Sequence, residues 1–198
     1  MKDENNTLHT IAEFIWEMIK TAVTVVIIVY LIKTYIFQLF IVDGQSMEPT
    51  LHHNEMLLVD KLSYHIRKPH RGEIIVFQKP HETTNINFIK RIIGLPGEKV
   101  TIRDNSIYIT TNGVETKINE SYLPIDIITN GEHEYTVGPD EVFVLGDNRT
   151  NSQDSRVIGA IKYDLIVGKA LFTYWPINES TWLFTPDYNL NLIKLTLF

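Results

Sequence analysis

Hydrophobic positions are distributed in two different ways along this chain. After a polar opening, MKDENNTLHT, they crowd together from Ile11 to Val42 in IAEFIWEMIKTAVTVVIIVYLIKTYIFQLFIV. Thr21 to Ile32 carries no charge, Lys33 interrupts, and Thr34 to Val42 is uncharged again. The first uncharged stretch is too short to span a bilayer, which takes about 20 largely apolar residues. Extending it back to Phe14 or on to Phe37 reaches that length, with Lys20 or Lys33 snorkelling towards an interface. The pattern predicts a membrane anchor over residues 14–37, preceded by a short tail of residues 1–13. The helix of a soluble core would show a polar face, and Ala22 to Ile32 has almost none. A secretory signal peptide would put positive charge before a short apolar stretch and small residues after it; here Glu13 and Glu17 come early and no Ala-x-Ala pattern follows. Lys2 and Lys20 precede the run and Lys33 follows it, so charge barely sets the orientation, and the short N-terminal side is the better cytoplasmic candidate.

From Ile41 onwards the pattern changes to short β-type runs cut by turn signals. Met56 to Val59, Glu73 to Phe77, Phe88 to Ile93, Lys99 to Arg103, Ser106 to Thr110, Val114 to Ile118, Glu141 to Leu145 and Leu165 to Trp175 are the candidate strands. Asp104-Asn105 and Asn112-Gly113 are tight-turn pairs, so residues 99–118 read as a three-stranded meander. No helical pattern long enough for a parallel crossover lies between the strands. The expected fold class is mainly β, with antiparallel sheets forming a distorted barrel-like domain over residues 38–198, behind one N-terminal transmembrane helix. The C-terminal LNLIKLTLF is far too short to span and is expected to dock on the domain or lie against the bilayer.

Composition narrows the chemistry. The 198 residues give a soft prior of one domain with an appendage, and the absence of Cys excludes disulfides and thiolate metal sites. A net charge of -6 leaves no basic surplus to neutralise phosphates, so nucleic acid is a poor partner. His133-Glu134 opens an HE pair but has Val137 where a second His would be needed, and the adjacent His52 and His53 point to opposite faces of an extended chain. Gly94-Leu95-Pro96-Gly97 contains a Pro and precedes a strand, which makes it a turn rather than a phosphate cradle.

Three segments are less ordinary. In VDGQSMEPTL (Val42 to Leu51), Gly44 opens backbone conformations closed to other residues and Pro49 stiffens the turn, displaying Ser46 at a bend. Taken alone it also reads as a Ser-capped turn. In FIKRIIGLPGEKV (Phe88 to Val100), Lys90 and Arg91 are consecutive within an apolar strand, so they face opposite sides. If both faces are covered, one cation is buried, and a buried Lys can lose its proton and act as a general base. The other reading is an edge strand with both heads in water. GDNRTNSQDSRVIG (Gly146 to Gly159) is either a solvated loop or a rigid polar shell around a buried amine.

Taken together, SMEPTL after a membrane segment, KRIIGLPG ending a strand and GDNRTNSQDSRVIG near the end resemble the bacterial signal peptidase I family, in its compact Gram-positive form. The family is a group of membrane-bound serine endopeptidases that release secreted proteins. The resemblance implies Ser46 as nucleophile, Lys90 as general base and Ser152 as the hydroxyl that orients the lysine. It implies an oxyanion hole of the Ser46 N–H and a donor at Gly44, which has no side chain to supply the hydroxyl some members use there. Asp147, Asp154, Arg91 and Arg156 would form the supporting charge network, and Met47, Leu51, Phe88 and Ile89 the pocket for small residues at Ala-x-Ala sites. The implied partners are secreted preproteins and the lipid bilayer, for a monomer in the bacterial cell membrane with no cofactor or metal. Two other readings stay open: a self-cleaving repressor of the same fold, against which the N-terminal membrane segment argues, and a catalytically silent membrane-anchored scaffold.

Overall fold

The computed structural model describes residues 2–188 apart from 81 and 83–85, and for residues 2–10 the backbone alone. The expectation for the segment 190–198 lies outside the described residues. The chain divides into two compact units, Met1–Gln38 and Leu39–Phe198.

The first unit is one long helix, α1 (Lys2–Leu31), running into a π-helical turn at Ile32–Ile36. It starts well before residue 14 because, once a helix is nucleated, each added residue gains a hydrogen bond at little further cost. Ile11–Ile36 is long and apolar enough to cross a membrane, and every side chain from Ile11 to Lys33 is exposed. Lys20 pairs within the helix with Glu17 (2.5 Å).

The second unit is mainly antiparallel β. Its larger sheet runs in the order β1 (Phe37–Ile41), β2 (Met56–Asp60), β11 (Ile166–Trp175), β3 (Ile74–Gln78), β4 (Asn87–Gly94), β9 (Glu141–Leu145) and β10 (Ile161–Lys162). The short β12 (Thr181–Trp182) pairs with β11 off this path. The smaller sheet has the order β7 (Val114–Lys117), β6 (Ser106–Thr111), β5 (Lys99–Arg103), β8 (His133–Thr136). Two single-turn α-helices, α2 (Ser63–Ile66) and α3 (Ser155–Ile158), and two 3-10 turns at Tyr163–Leu165 and Ile177–Glu179 complete the described elements.

Strand sequence explains strand position. The unbroken apolar run of β3 is buried on both faces: Ile74 and Val76 enter one core cluster, Ile75 and Phe77 another. β4 is likewise internal, and a register shift between Ile92 and Gly94 redirects Ile93 into the cluster beneath the smaller sheet. Both hairpins of that sheet use left-handed turn residues, with φ of 49° and 55° at Asp104 and Asn105 and 53° and 80° at Asn112 and Gly113.

A buried ionic hub ties β11 to the segment before β3. The Glu73 carboxylate, 3% exposed, accepts from Arg67 (2.6 Å), Lys169 (3.0 Å), the Tyr64 hydroxyl (3.0 Å) and the His70 N–H (2.9 Å). Burial raises its pKa, but the donors from Arg67, His70 and Lys169 outweigh that and hold it at about 2. A depressed carboxylate stabilises the fold above its unfolded value and ceases to as pH falls through its folded value. Glu73→Gln should therefore cost about 1–2 kcal/mol at neutral pH, less than the full shift because the partly exposed Arg67 head is screened by water, and the gap to the parent should close as acid takes the pH from about 4.5 to about 2, read as Tm against pH.

Candidate active site

The loop between β1 and β2 is closed at its neck by Val42 N–H donating to Glu55 O (2.8 Å) and Asn54 N–H to Val42 O (2.9 Å). Within it Gly44 has φ 105°, a region that glycine enters freely and other residues rarely. A run of turns follows, with Thr50 and Leu51 N–H both donating to Met47 O (2.9 and 3.0 Å). That winding drives Met47 and Leu51 (1% and 0% exposed) into the core with Leu57, Val59, Ile74 and Val76. Ser46, just ahead of Met47, is left half-buried at the lip. The GDNR segment clasps the same loop: Asn148 donates its N–H to Ser46 O and its side-chain amide to Gln45 O, each at 3.1 Å.

Lys90 comes from the interior of the sheet. It pairs with Ile75 across β3 and is 3% exposed. Its Nζ lies 2.8 Å from Ser46 Oγ, donates to the Ile89 carbonyl at 2.9 Å, and sits 5.1 Å from the Phe88 ring centroid. Desolvation pushes the amine down from 10.5 to about 8, against the opposing pull of the Asp154 and Asp147 carboxylates.

Of the two readings of the Lys90-Arg91 pair, one cation buried or both heads in water, neither holds: the structure buries both, because β4 lies between β3 and β9 with both faces covered. Arg91 is fully partnered: Nε and Nη2 donate to Asp147 (2.9 and 2.7 Å), Nη1 donates to Gly72 O (2.9 Å), and the guanidinium stacks 4.2 Å from the Tyr122 ring centroid. Asp154 accepts from Arg156 Nε and Nη2 (both 2.8 Å) and from Gly146 N–H (3.0 Å). Both carboxylates are 0% exposed. Arg149, to which the sequence reading gave no separate role, joins the network by donating to Gly146 O (3.0 Å), Thr129 Oγ1 (2.5 Å), the Tyr122 hydroxyl (3.0 Å) and Glu120.

Two implied roles meet a different geometry. The Ser152 hydroxyl is buried without a hydrogen-bond partner. It packs against Gly146, where an added Cβ would stand 2.2 Å from its Oγ, and Lys90 directs its contacts to Ser46 and Ile89 instead. The Gly44 N–H donates to His53 Nδ1 (3.1 Å), so the amide suggested as an oxyanion donor is already engaged.

Ser46 and Lys90 open onto a cleft of about 720 Å³. Residues 40–45 form one wall and Asn87, Phe88 and Ile89 the other, with Met47, His53, Asn151 and Gln153 also contributing. Met47, Phe88 and Ile89 thus line it, whereas Leu51 does not: one turn beyond Met47, it points wholly into the core. Asn148 and Arg149 stood inside a flagged motif, but His53 carried no signal, since its partner is a main-chain amide that no letter of the sequence encodes. Among the described residues no three His, Asp or Glu side chains are grouped as a metal ion would need.

A family model described as signal peptidase, peptidase S26, matches residues 15–175. A probable signal peptidase I-2 of Synechocystis is 39% identical over 189 residues, covering 91% of this chain and 82% of that protein. Signal peptidase I of Bacillus caldolyticus is 38% identical over 172 residues (80% of this chain, 91% of that one). Signal peptidase I T of Bacillus subtilis is 38% identical over 170 residues (81% and 85%). With most of its length matched both by the family model and by these relatives, the chain belongs to the signal peptidase family, peptidase S26.

Proposed function

We propose that this signal peptidase cleaves preproteins after small residues through a Ser46–Lys90 dyad and an acyl-enzyme. The observation that carries the reading is the 2.8 Å approach of a buried lysine nitrogen to a serine hydroxyl at the edge of a cleft. A hydroxyl is a weak nucleophile until a base removes its proton. At an ordinary pKa only about one lysine in a few thousand is neutral at pH 7, whereas at about 8 roughly a tenth are. Neutral Lys90 takes the Ser46 proton as Oγ bonds to the scissile carbonyl carbon. The tetrahedral intermediate collapses, the C–N bond breaks, and Lys90 returns the proton to the departing amine. A water molecule, deprotonated in turn by Lys90, then hydrolyses the acyl-serine. No step draws on a metal or cofactor.

The substrate lies extended along the edge at Phe40 to Asp43, gaining main-chain hydrogen bonds that read no sequence. Selection for small side chains comes from the Met47, Phe88 and Ile89 surfaces. α1 acts as a single-pass anchor, N-terminus cytoplasmic and catalytic domain outside. An all-exposed apolar helix has only lipid to cover it, and sharing a bilayer with the signal peptide raises the effective substrate concentration. One anchored chain suffices, so the working unit is a monomer.

The test is processing of a preprotein with an Ala-x-Ala site by wild type and by Ser46→Ala. The wild type should release the mature protein and the variant should be slower by about 10³-fold or more. Absence of processing by the wild type would favour the silent scaffold, and equal processing by both would remove Ser46 as the nucleophile.

A further inference from the structure

His53 stands on the cleft beside Asp43 and Gly44. Its Nδ1 lies 3.1 Å from the Gly44 nitrogen, placed to accept that N–H. The same atom lies 3.6 Å from Asp43 Oδ1. One imidazole nitrogen cannot serve both: it must be bare to accept an amide and protonated to face a carboxylate. Of the two neighbours, the Gly44 amide at 3.1 Å is within hydrogen-bond reach and the exposed Asp43 carboxylate at 3.6 Å is not.

We propose that His53 is a positioning residue that fixes the Asp43–Gly44 corner of the substrate-binding edge by accepting the Gly44 N–H. This rests on the Ser46–Lys90 reading of the cleft. Little else holds the corner. A Cβ at Gly44 would touch nothing within 4 Å, and Asp43, Gly44 and Gln45 are all exposed. The chain is pinned on either side, by Val42 N–H to Glu55 O and by the Asn148 amide to Gln45 O, so the His53 contact falls in the gap between two anchors. The other titratable groups lining the cleft are Asp43 and Lys90. His52, next in the chain, faces Glu55 (3.2 Å) and does not compete for Gly44.

Asn separates the contact from the ring, because its Oδ1 can stand where Nδ1 stood and accept the same N–H. The experiment follows kcat and KM of the full-length protein in detergent on a short Ala-x-Ala peptide. At alkaline pH His53→Ala should lose about fivefold, the worth of one neutral hydrogen bond, chiefly in KM, and His53→Asn should recover most of it. A His53→Ala enzyme matching wild type, or a His53→Asn enzyme no better than His53→Ala, would overturn the assignment. Ser46→Ala assayed alongside keeps the outcomes apart: activity surviving there sinks the dyad itself, whatever His53 does.

Discussion

Lys90→Met is expected to give a protein that cleaves nothing and yet melts higher than its parent at neutral pH. Holding an amine at about 8 rather than 10.5 means that the fold disfavours the protonated form by about 3 kcal/mol wherever the unfolded chain is charged. The sign follows from proton counts. Between the two values the unfolded state binds more protons than the folded one, so stability rises with pH across that window; below it the full penalty applies. A thioether of similar length carries no charge to desolvate. Its losses are the contacts to Ser46 Oγ and to the Ile89 carbonyl, worth about 1 kcal/mol each, which leaves a net gain of about 1 kcal/mol and about 2–4 °C in Tm. The advantage should vanish as the pH is raised past about 10.5, where the unfolded lysine is also neutral. Activity in the parent runs the opposite way, climbing as pH approaches 8 and levelling above it, since only the free amine can accept the Ser46 proton. Melting curves of both proteins across that range, beside peptide cleavage rates, check the claim. A variant no more stable than wild type at pH 7 would show that Lys90 is not held against its preference for water.

That conflict is what made the site legible before any coordinates. A lysine inside FIKRII breaks the local rule of an apolar strand, and such breaks mark function. The strands were legible for the converse reason: buried on both faces, β3 reads as an unbroken apolar run, and the Asp104-Asn105 and Asn112-Gly113 pairs supply the positive φ their turns require. What escaped had no such mark. β1 (Phe37–Ile41) was hidden because its residues continue the apolar run of the membrane segment without a break. β8 (His133–Thr136) is a half-exposed HEYT whose strand character comes from pairing with β5 rather than from its own residues. The Arg149–Glu120 pair joins positions 29 residues apart, and nothing local at either end announces the other. The burial of Arg91 beside Lys90 was legible only as a choice between the two, because sequence shows the alternation of faces and not how many of them are covered.

The second large effect is steric. Gly146→Ala should reduce cleavage by about 100-fold or more, acting through kcat. Gly146 ends β9 at the point where the GDNR segment passes behind the dyad, and it needs no left-handed backbone, only closeness. A Cβ there would stand 2.2 Å from Ser152 Oγ and 2.5 Å from the carbonyl oxygen of Ser46 itself. Neither side can easily give way. The Gly146 N–H is held by Asp154 (3.0 Å) and its carbonyl by Arg149 (3.0 Å), both buried, while the Ser46 carbonyl is tied to the Asn148 N–H (3.1 Å). Relief therefore comes from displacing the Ser46 segment away from Lys90, and a shift of about 1 Å in a reacting pair is enough to cost two orders of magnitude. Overpacking of this kind also costs about 1–3 kcal/mol of stability, so the rate must be measured where the variant is folded, as judged by an unaltered far-UV spectrum. Two further variants isolate the cause. Gly138→Ala meets only the mobile end of the Glu141 side chain (2.8 Å) and should cleave nearly as wild type does. Adding Ser152→Gly to Gly146→Ala removes the nearest obstacle and leaves the Ser46 carbonyl at 2.5 Å, so the double variant should stay impaired. Recovery of full activity in that double variant would place the damage at Ser152 and acquit the nucleophile loop.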